Sequence, residues 1–363
     1  MSSSLLQPTH HDTYPFIDPS DQLAGSAKGK SVLITGAGLG IGRAIAEAFA
    51  LAGPERLVLV GRREAGLRET RERIRGKVGL VGDGFVVGDG EVARDCDLDG
   101  GGCADSDPEM WWRDLEVNLK GTYLVARRYI RALREYYGST TAGNGHGRTE
   151  GKVEGRIIHV SSNASWRYVP GRSSYAASKL AINSLTEYLD GEEGSDVVDS
   201  TTGHSKNTAI VRSVALHPGG VDTDLAATLP EDVRKRILID KPELAAGTCV
   251  YLSLPRADFL MGRFVNCTWD MEELEKQRER MESQDLLKSK VMDTVAILAR
   301  IGPPLLHCGS VQQKSEETGG DNGIQDSRAA AYRMQGTDWW NIAVPLCPTI
   351  ALLQTEHSTP QQQ

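Results

Sequence analysis

Apolar and polar positions alternate in blocks along residues 28–275: short apolar runs are separated by segments whose apolar residues recur every three or four positions. The short runs predict buried parallel strands, and the intervening segments predict helices that cover the sheet. Repeated strand–helix alternation predicts an α/β fold built on a doubly wound parallel sheet. The predicted strands are residues 31–35, 56–61, 84–89, 156–162, 209–216 and 263–268.

The same pattern divides the chain into three parts. Residues 1–27 are polar and contain three prolines, which predicts an extended N-terminal arm. Residues 28–289 form the folded domain, with polar surface insertions at 139–155 and 191–207. Beyond residue 290 the periodicity decays, and the one apolar run near the end is broken by two prolines, so residues 290–363 are predicted to be a poorly structured tail.

Composition narrows the functional class. The 363-residue chain has a net charge of −8, which disfavours a nucleic acid or an anionic membrane as partner. No apolar run reaches the roughly 20 residues that span a membrane. The N-terminus has no secretory signal, and the six cysteines form no C-x-x-C pair, so a protein of the reducing cytoplasm is expected.

The first chemical motif, TGAGLGIG, covers residues 35–42, where the first strand passes into a helix. Gly36 permits a tight turn, Gly40 lets the backbone approach a pyrophosphate, and Gly42 lets the helix pack close to the sheet. The helix N-terminus then offers N–H groups to the phosphates. A plain tight turn is the alternative, but the strand–turn–helix placement favours a Rossmann-type dinucleotide site.

The end of the second strand bears on which dinucleotide is bound. A site selective for NAD places an acidic residue there to bind the ribose 2′-hydroxyl, whereas this chain has Arg62 and Arg63. An arginine can bind a 2′-phosphate as a fork. The sequence therefore favours NADP(H), against the alternative of two solvated arginines at the start of a surface helix.

The third motif lies in residues 161–179. Tyr175 and Lys179 are four residues apart on a predicted helix, hence on one face. A nearby ammonium favours the tyrosinate form, so that the phenol can act as acid or base near neutrality. Ser162 ends a strand at the edge where open α/β sheets bind ligands, and its hydroxyl could hold a substrate carbonyl. Taken alone, the Tyr–Lys spacing would be interpreted as a surface pair.

Together these motifs resemble the short-chain dehydrogenase/reductase family in its single-domain form, over about residues 28–275, and the match near residues 262–279 is similar to members from fungal secondary metabolism. The resemblance makes residues 28–289 the NADP-binding catalytic domain. It implies hydride transfer between NADP(H) and a carbonyl or alcohol of a small molecule, and a homodimer or homotetramer. The catalytic residues that it implies are Asn118, Ser162, Tyr175 and Lys179.

The resemblance also assigns individual roles. Tyr175 is the general acid/base, Lys179 assists it and binds the nicotinamide ribose, and Asn118 holds a water that relays protons to Lys179. Asp89 falls where the family touches the adenine. The cofactor-binding residues that it implies are Gly36, Leu39, Gly40, Ile41, Gly42, Arg62, Asp89, Asn118, Tyr175, Lys179, Val221 and Thr223.

One family element is missing. Between Asp89 and Asn118 the family has a central strand that ends in Asn-Asn-Ala-Gly, whereas residues 88–108 carry seven acidic residues and five glycines and cannot form a central strand. We therefore expect the sheet to lack or replace one central strand. Either the first strand pairs directly with residues 156–162, or the domain folds poorly, or the sequence is a faulty translation of its gene. A catalytically impaired relative that only binds a nucleotide or a partner is the alternative function.

Residues 95–106 of this acidic stretch also raise the question of a metal. Asp95, Asp97, Asp99 and Gly100 match the start of a Ca²⁺-binding EF-hand loop. The twelfth position is Ser106 rather than the bidentate glutamate, and the preceding segment is a predicted strand rather than a helix. The sequence therefore predicts no metal site.

Overall fold

The computed structural model describes residues 7–79, 83–87, 102–140, 153–194, 209–223, 231–289 and 349–354. Among them the strands are β1 (Lys30–Thr35), β2 (Arg56–Gly61), β3 (Asp83–Val87), β4 (Val153–Val160), β5 (Ala209–His217), β6 (Phe264–Asn266) and β7 (Thr349–Gln354). The α-helices are α1 (Gly40–Leu51), α2 (Glu64–Val78), α3 (Pro108–Leu115), α4 (Gly121–Thr140), α5 (Ser173–Glu193), α6 (Glu231–Ile237), α7 (Pro242–Leu252), α8 (Met271–Lys276) and α9 (Arg278–Ser283). A π-helical turn, Glu116–Lys120, joins α3 to α4, and short 3-10 turns occupy Pro15–Ile17, Asn163–Ser165 and Pro255–Leu260.

The strands form one sheet in the order β3-β2-β1-β7-β4-β5-β6. Among the described residues, the pairings between strands β1 to β6 are parallel, as the strand–helix alternation predicts. The α/β class and the doubly wound sheet are thereby confirmed. The sequence also placed the strands to within a few residues of their observed bounds.

The missing central strand is replaced by β7, which lies between β1 and β4 and is antiparallel to both. Ala351 pairs with Leu33 of β1 on one side and with Ile157 of β4 on the other. The expectation that β1 would pair directly with β4 is therefore wrong, and six residues of the predicted unstructured tail belong to the sheet. The residues between 290 and 348 lie outside the described residues.

The N-terminal segment also differs from the extended arm that its prolines predict. Ile17 and Leu23 are fully buried and belong to the main core. The Thr9 N–H donates to the Thr268 carbonyl, and the Tyr14 hydroxyl accepts from the Met271 N–H. Apolar residues placed between the prolines thus fix this segment to the domain, because burial of each large side chain stabilises by roughly 1.5–3 kcal/mol.

The main core fills one face of the sheet around α1 and α7, which pack against each other. In α1 the apolar residues recur with helical spacing, and Ile45 and Phe49 are fully buried. Every residue of α7 from Leu244 to Leu252 is buried, which explains its uniformly apolar sequence. On the other face a smaller cluster, which includes Ile130 of α4, covers β4 and β5. The carboxyl ends of β1, β4 and β5 are thereby fixed at one edge of the sheet.

Candidate active site

The glycine turn lies between β1 and α1, as predicted. Gly36 and Gly40 have φ values of 68° and 51°, which side-chain-bearing residues rarely adopt. A Cβ at Gly42 would lie 2.3 Å from the Gly36 carbonyl oxygen, so α1 starts against the turn. Leu39 precedes α1 as an exposed N-cap whose side chain makes no capping bond, and Ile41 is half-buried in the first helical turn. The first N–H groups of α1 therefore point into the turn without a side-chain cap.

Two side chains that the sequence did not single out hold this turn. The Arg43 guanidinium donates to the Gly38 carbonyl at 2.6 Å and pairs with Glu69 of α2. The Thr70 hydroxyl donates to the Ala37 carbonyl at 2.9 Å. Both contacts tie the turn to α2, and they were not visible in the sequence because about 30 residues separate the partners.

The segment after β5 reaches the same turn. A Cβ on Gly40 would lie 3.4 Å from the Thr223 methyl carbon, so Thr223 packs over the start of α1. Val221 is buried and pairs with Asp240 in a single parallel bridge. The structure thus brings the predicted cofactor residues of the turn and of this segment together. Arg62 follows β2 and is half-buried, whereas Asp89 lies outside the described residues.

Lys179 and Tyr175 lie on one face of α5, as their spacing predicts. The Lys179 ammonium is buried, donates to the Val160 carbonyl at 2.9 Å and lies 5.5 Å from the centre of the Tyr175 ring. Val160 is the last residue of β4, so the end of that strand fixes the ammonium beneath the phenol. This contact orients the cation toward the tyrosine rather than toward solvent.

Ser162 follows β4 and caps the 3-10 turn Asn163–Ser165. Its hydroxyl oxygen accepts from the Ala164 N–H at 3.1 Å, which leaves the hydroxyl hydrogen to donate elsewhere. A network below it fixes the backbone: the Ser165 hydroxyl donates to the Ser162 carbonyl at 2.6 Å, and Asn183 of α5 donates to the Ser165 oxygen at 3.0 Å. Ser162 is therefore held as a hydrogen-bond donor at the carboxyl end of β4.

Asn118 lies in the π-helical turn before α4 and is buried. Its side-chain amide donates to the Ser178 hydroxyl at 3.1 Å, and that hydroxyl donates to the Tyr175 carbonyl at 2.7 Å. The Thr122 hydroxyl donates to the Asn118 carbonyl at 2.6 Å. Asn118 thus contacts the helix of the other predicted catalytic residues. Its predicted role in holding a water stays a prediction.

His217, at the end of β5, is a further residue that sequence reasoning missed. Its Nδ1 accepts from the Asn163 N–H at 3.2 Å, directly after Ser162. Burial lowers the pKa of His217 to about 4; the Arg167 charge acts in the same direction, and the Asp240 carboxylate opposes it. Histidine is therefore neutral here, with its proton on Nε2. The only local sign of this contact was the position of His217 beside the Pro-Gly segment.

We expect the free energy of unfolding to fall as the pH drops below about 6.5 toward pH 4. Burial lowers the pKa of His159 to about 3 and that of His217 to about 4, so the unfolded chain binds more protons across this interval. Each histidine contributes a slope of up to about 1.4 kcal/mol per pH unit. Urea unfolding at pH 7.5 and pH 5.5 measures how steeply the free energy of unfolding depends on pH, and His217→Asn should reduce this dependence. An equal dependence in the wild type and in His217→Asn would contradict the lowered pKa of His217.

The described residues contain no group of three or more His, Cys, Asp or Glu side chains that could hold a metal ion. The candidate Ca²⁺ residues 95–100 lie outside the described part of the chain. No helix in the described ranges combines the length and apolar character needed to cross a membrane.

Comparisons with known proteins agree with this geometry. The family model "short chain dehydrogenase" matches residues 99–234. Short chain dehydrogenase mpl6 of Monascus purpureus is 33% identical over 324 residues, which cover 79% of this chain and 96% of the relative. Short chain dehydrogenase pigC of Monascus ruber is 31% identical, covering 77% of this chain and 91% of the relative.

A solved structure also matches the fold. A putative short chain dehydrogenase from Pseudomonas syringae has a TM-score of 0.52 at 19% identity, covering 72% of this chain and all of that chain. The predicted family and the likeness to fungal members are confirmed by the Monascus relatives. This chain therefore belongs to the short-chain dehydrogenase family of oxidoreductases.

Proposed function

We propose that this protein is an NADP(H)-dependent dehydrogenase or reductase that interconverts a carbonyl and an alcohol of a small organic substrate. The observation that carries the proposal is the grouping of Ser162, Tyr175 and Lys179 at the carboxyl end of β4, with the Lys179 ammonium fixed 5.5 Å from the Tyr175 ring centre. Ligands of open α/β sheets bind at this edge.

The glycine turn fits a dinucleotide phosphate. The start of α1 has no acidic residue and no side-chain cap, so its N–H groups and the positive end of its dipole are available to an anion. Leu39, Gly40 and Ile41 would line the phosphates, with Gly36 and Gly42 shaping the turn. Val221 and Thr223 would contact the nicotinamide side, since Thr223 packs against Gly40.

The chemistry of the site follows from hydrogen-bond directions. When bound, the nicotinamide supplies or accepts the hydride. Ser162 already accepts a bond from the Ala164 N–H, so its hydroxyl hydrogen can donate to the substrate oxygen. In reduction Tyr175 donates its phenolic proton to that oxygen as the carbon gains the hydride; in oxidation it removes the proton. The Lys179 ammonium stabilises the phenolate, and Asn118 would relay protons to Lys179.

Cofactor choice is testable at Arg62. We expect NADPH to quench the tryptophan fluorescence of the wild-type protein at lower concentration than NADH. Arg62→Gln should weaken NADPH binding by about 10- to 100-fold, because a charge-assisted hydrogen bond contributes about 1.5–3 kcal/mol, and should leave NADH binding unchanged. Arg75→Gln, an arginine of α2 that pairs with exposed Glu72, is the matched control.

A wild-type preference for NADH would refute the role of Arg62, and no binding of either nucleotide at millimolar concentration would refute the proposed function. The alternative of a catalytically impaired relative rested on a gap beside β1. Because β7 occupies that position, the described sheet has no gap there, which supports the proposal of an active enzyme.

We further infer a homodimer or homotetramer that uses α4 and α5. Large side chains on these helices, Tyr123, Leu180 and Tyr188, are 44%, 41% and 65% exposed. Exposed apolar surface of this kind supports an interface between copies. The proposal also includes a cytoplasmic location and a small-molecule substrate. It includes no nucleic-acid or membrane partner.

A further inference from the structure

Arg172, beside the candidate active site, carries a cation that has no hydrogen-bond or ion-pair partner among the described residues. It is the residue that precedes α5, three positions before Tyr175. Its side chain is half-buried, and the buried Nη1 has no hydrogen-bond partner. Within the described part of the chain, no hydrogen bond or ion pair of its guanidinium is found. An unpaired buried charged donor costs free energy, so this arrangement favours a ligand that supplies the missing acceptor.

Arg172 interacts electrostatically with Tyr175 and Asp114. Burial lowers the pKa of Arg172, while the Tyr175 hydroxyl and the Asp114 carboxylate act in the opposite direction, so both lie within electrostatic range of it. Asp114 is itself buried and accepts a hydrogen bond from the Ser174 hydroxyl. Asp114 thus accepts a hydrogen bond from Ser174, and none from Arg172 is found among the described residues.

A second arginine, Arg167, lies on the same loop between Ser162 and α5. It is exposed, its positive charge contributes to lowering the pKa of His217, and none of the described residues forms an ion pair with it. Arg172 on the Tyr175 side and Arg167 on the His217 side therefore carry positive charge at both ends of the loop. No acidic side chain among the described residues neutralises either of them through an ion pair.

Flat apolar surfaces accompany these cations. Trp166 is 47% exposed and packs edge-on against Phe264, with ring centres 6.0 Å apart. Tyr168 is 91% exposed. Exposed aromatic rings such as these offer surface for stacking with a planar ligand. The same seven-residue loop thus carries exposed aromatic rings and two arginines that have no ion-pair partner among the described residues.

We propose that residues 166–172 recognise an aromatic substrate that carries a carboxylate or a comparably acidic group, with Arg172 as the anion-binding residue and Arg167 as an outer cation. The guanidinium fork matches a carboxylate with two parallel hydrogen bonds, and Trp166 supports the ring system. This inference rests on the proposed function for the reaction, but the anion site can be tested by binding alone.

The test uses two probes of the same shape, the negatively charged 2-naphthoate and the uncharged 2-naphthamide. Each is titrated into the full-length protein with and without saturating NADP⁺. We expect 2-naphthoate to bind at least about tenfold more tightly, because a charge-assisted hydrogen bond contributes about 1.5–3 kcal/mol. Arg172→Gln should abolish the difference, and Arg172→Lys, which keeps the charge but loses the fork, should retain part of it. Arg280→Gln, an exposed arginine of α9, should leave it unchanged.

Saturating NADP⁺ blocks the phosphate-binding turn, so naphthoate that binds in its presence must bind elsewhere, as expected for residues 166–172. Equal affinity for the two probes, no binding of either at millimolar concentration, or unchanged discrimination in Arg172→Gln would each overturn the inference. The circular dichroism of Arg172→Gln and its affinity for NADP⁺ should match those of the wild type. Failure of the wild type to bind NADP⁺ or NADPH would instead count against the proposed function, and the titration without NADP⁺ would still decide the anion site.

Discussion

Replacing Ala351 by proline is expected to disrupt the sheet and to abolish cofactor binding. Ala351 is in the middle of β7, paired with Leu33 and Ile157 on its two sides, so its backbone groups belong to ladders of a central strand. Proline removes the N–H, leaves a buried carbonyl without a donor and restricts the backbone. The combined cost, on the order of several kcal/mol, is a large share of the 5–15 kcal/mol net stability of a typical domain.

The effect should reach both halves of the site, because β7 lies between the two strands that lead to them. β1 ends at the turn that begins with Gly36, and β4 ends just before Ser162. Thermal unfolding followed by circular dichroism and NADPH titration measure the two consequences. Ala351→Val is the matched control, since valine keeps the N–H and favours strands. A proline variant with the melting temperature and NADPH affinity of the valine variant would show that β7 is dispensable.

The sequence did not reveal β7, for a physical reason. The run that forms it, TIALLQ, follows Pro348, and the prolines at 345 and 348 made the apolar segment look broken. They precede the strand and do not interrupt it. Local periodicity indicates that a segment is buried but not which strand it pairs with, and the partner strands here lie about 190 and 320 residues away. The gap was visible between Asp89 and Asn118, but nothing local indicated what fills it.

The predicted catalytic residues, by contrast, could be placed from the sequence because their relation is local. Tyr175 and Lys179 share a helix face at a spacing of four, and the glycine turn needs only a strand, a turn and a helix in succession. His217 and Asn183 support Ser162 through contacts that cross between elements, so no spacing rule could find them. A pair of residues on one helix can therefore be predicted from the sequence, whereas the contacts that orient their side chains can be identified only from the folded structure.

Tyr175→Phe is expected to lower the rate of NADPH-dependent carbonyl reduction by about 10²- to 10⁴-fold, the range that a positioned general acid supplies. Phenylalanine keeps the ring 5.5 Å from the Lys179 ammonium but has no proton to donate to the substrate oxygen. The affinity for NADPH should change little, which separates loss of chemistry from loss of folding. Aryl keto acids and aryl ketones that the wild type reduces are the substrates for this measurement, followed by NADPH absorbance.

Tyr188→Phe provides the matched control, because Tyr188 lies on the same helix and is 65% exposed. It undergoes the same chemical change without a place at the reacting centre and keeps the ring that the proposed interface would bury, so its turnover should equal that of the wild type. If Tyr175→Phe retained wild-type turnover, the proton donor would have to be another group, and the grouping of Ser162 and Lys179 would then serve only to bind the substrate and cofactor. A loss confined to Tyr175→Phe, with NADPH still bound, assigns the proton transfer to this hydroxyl, since that is the only atom removed.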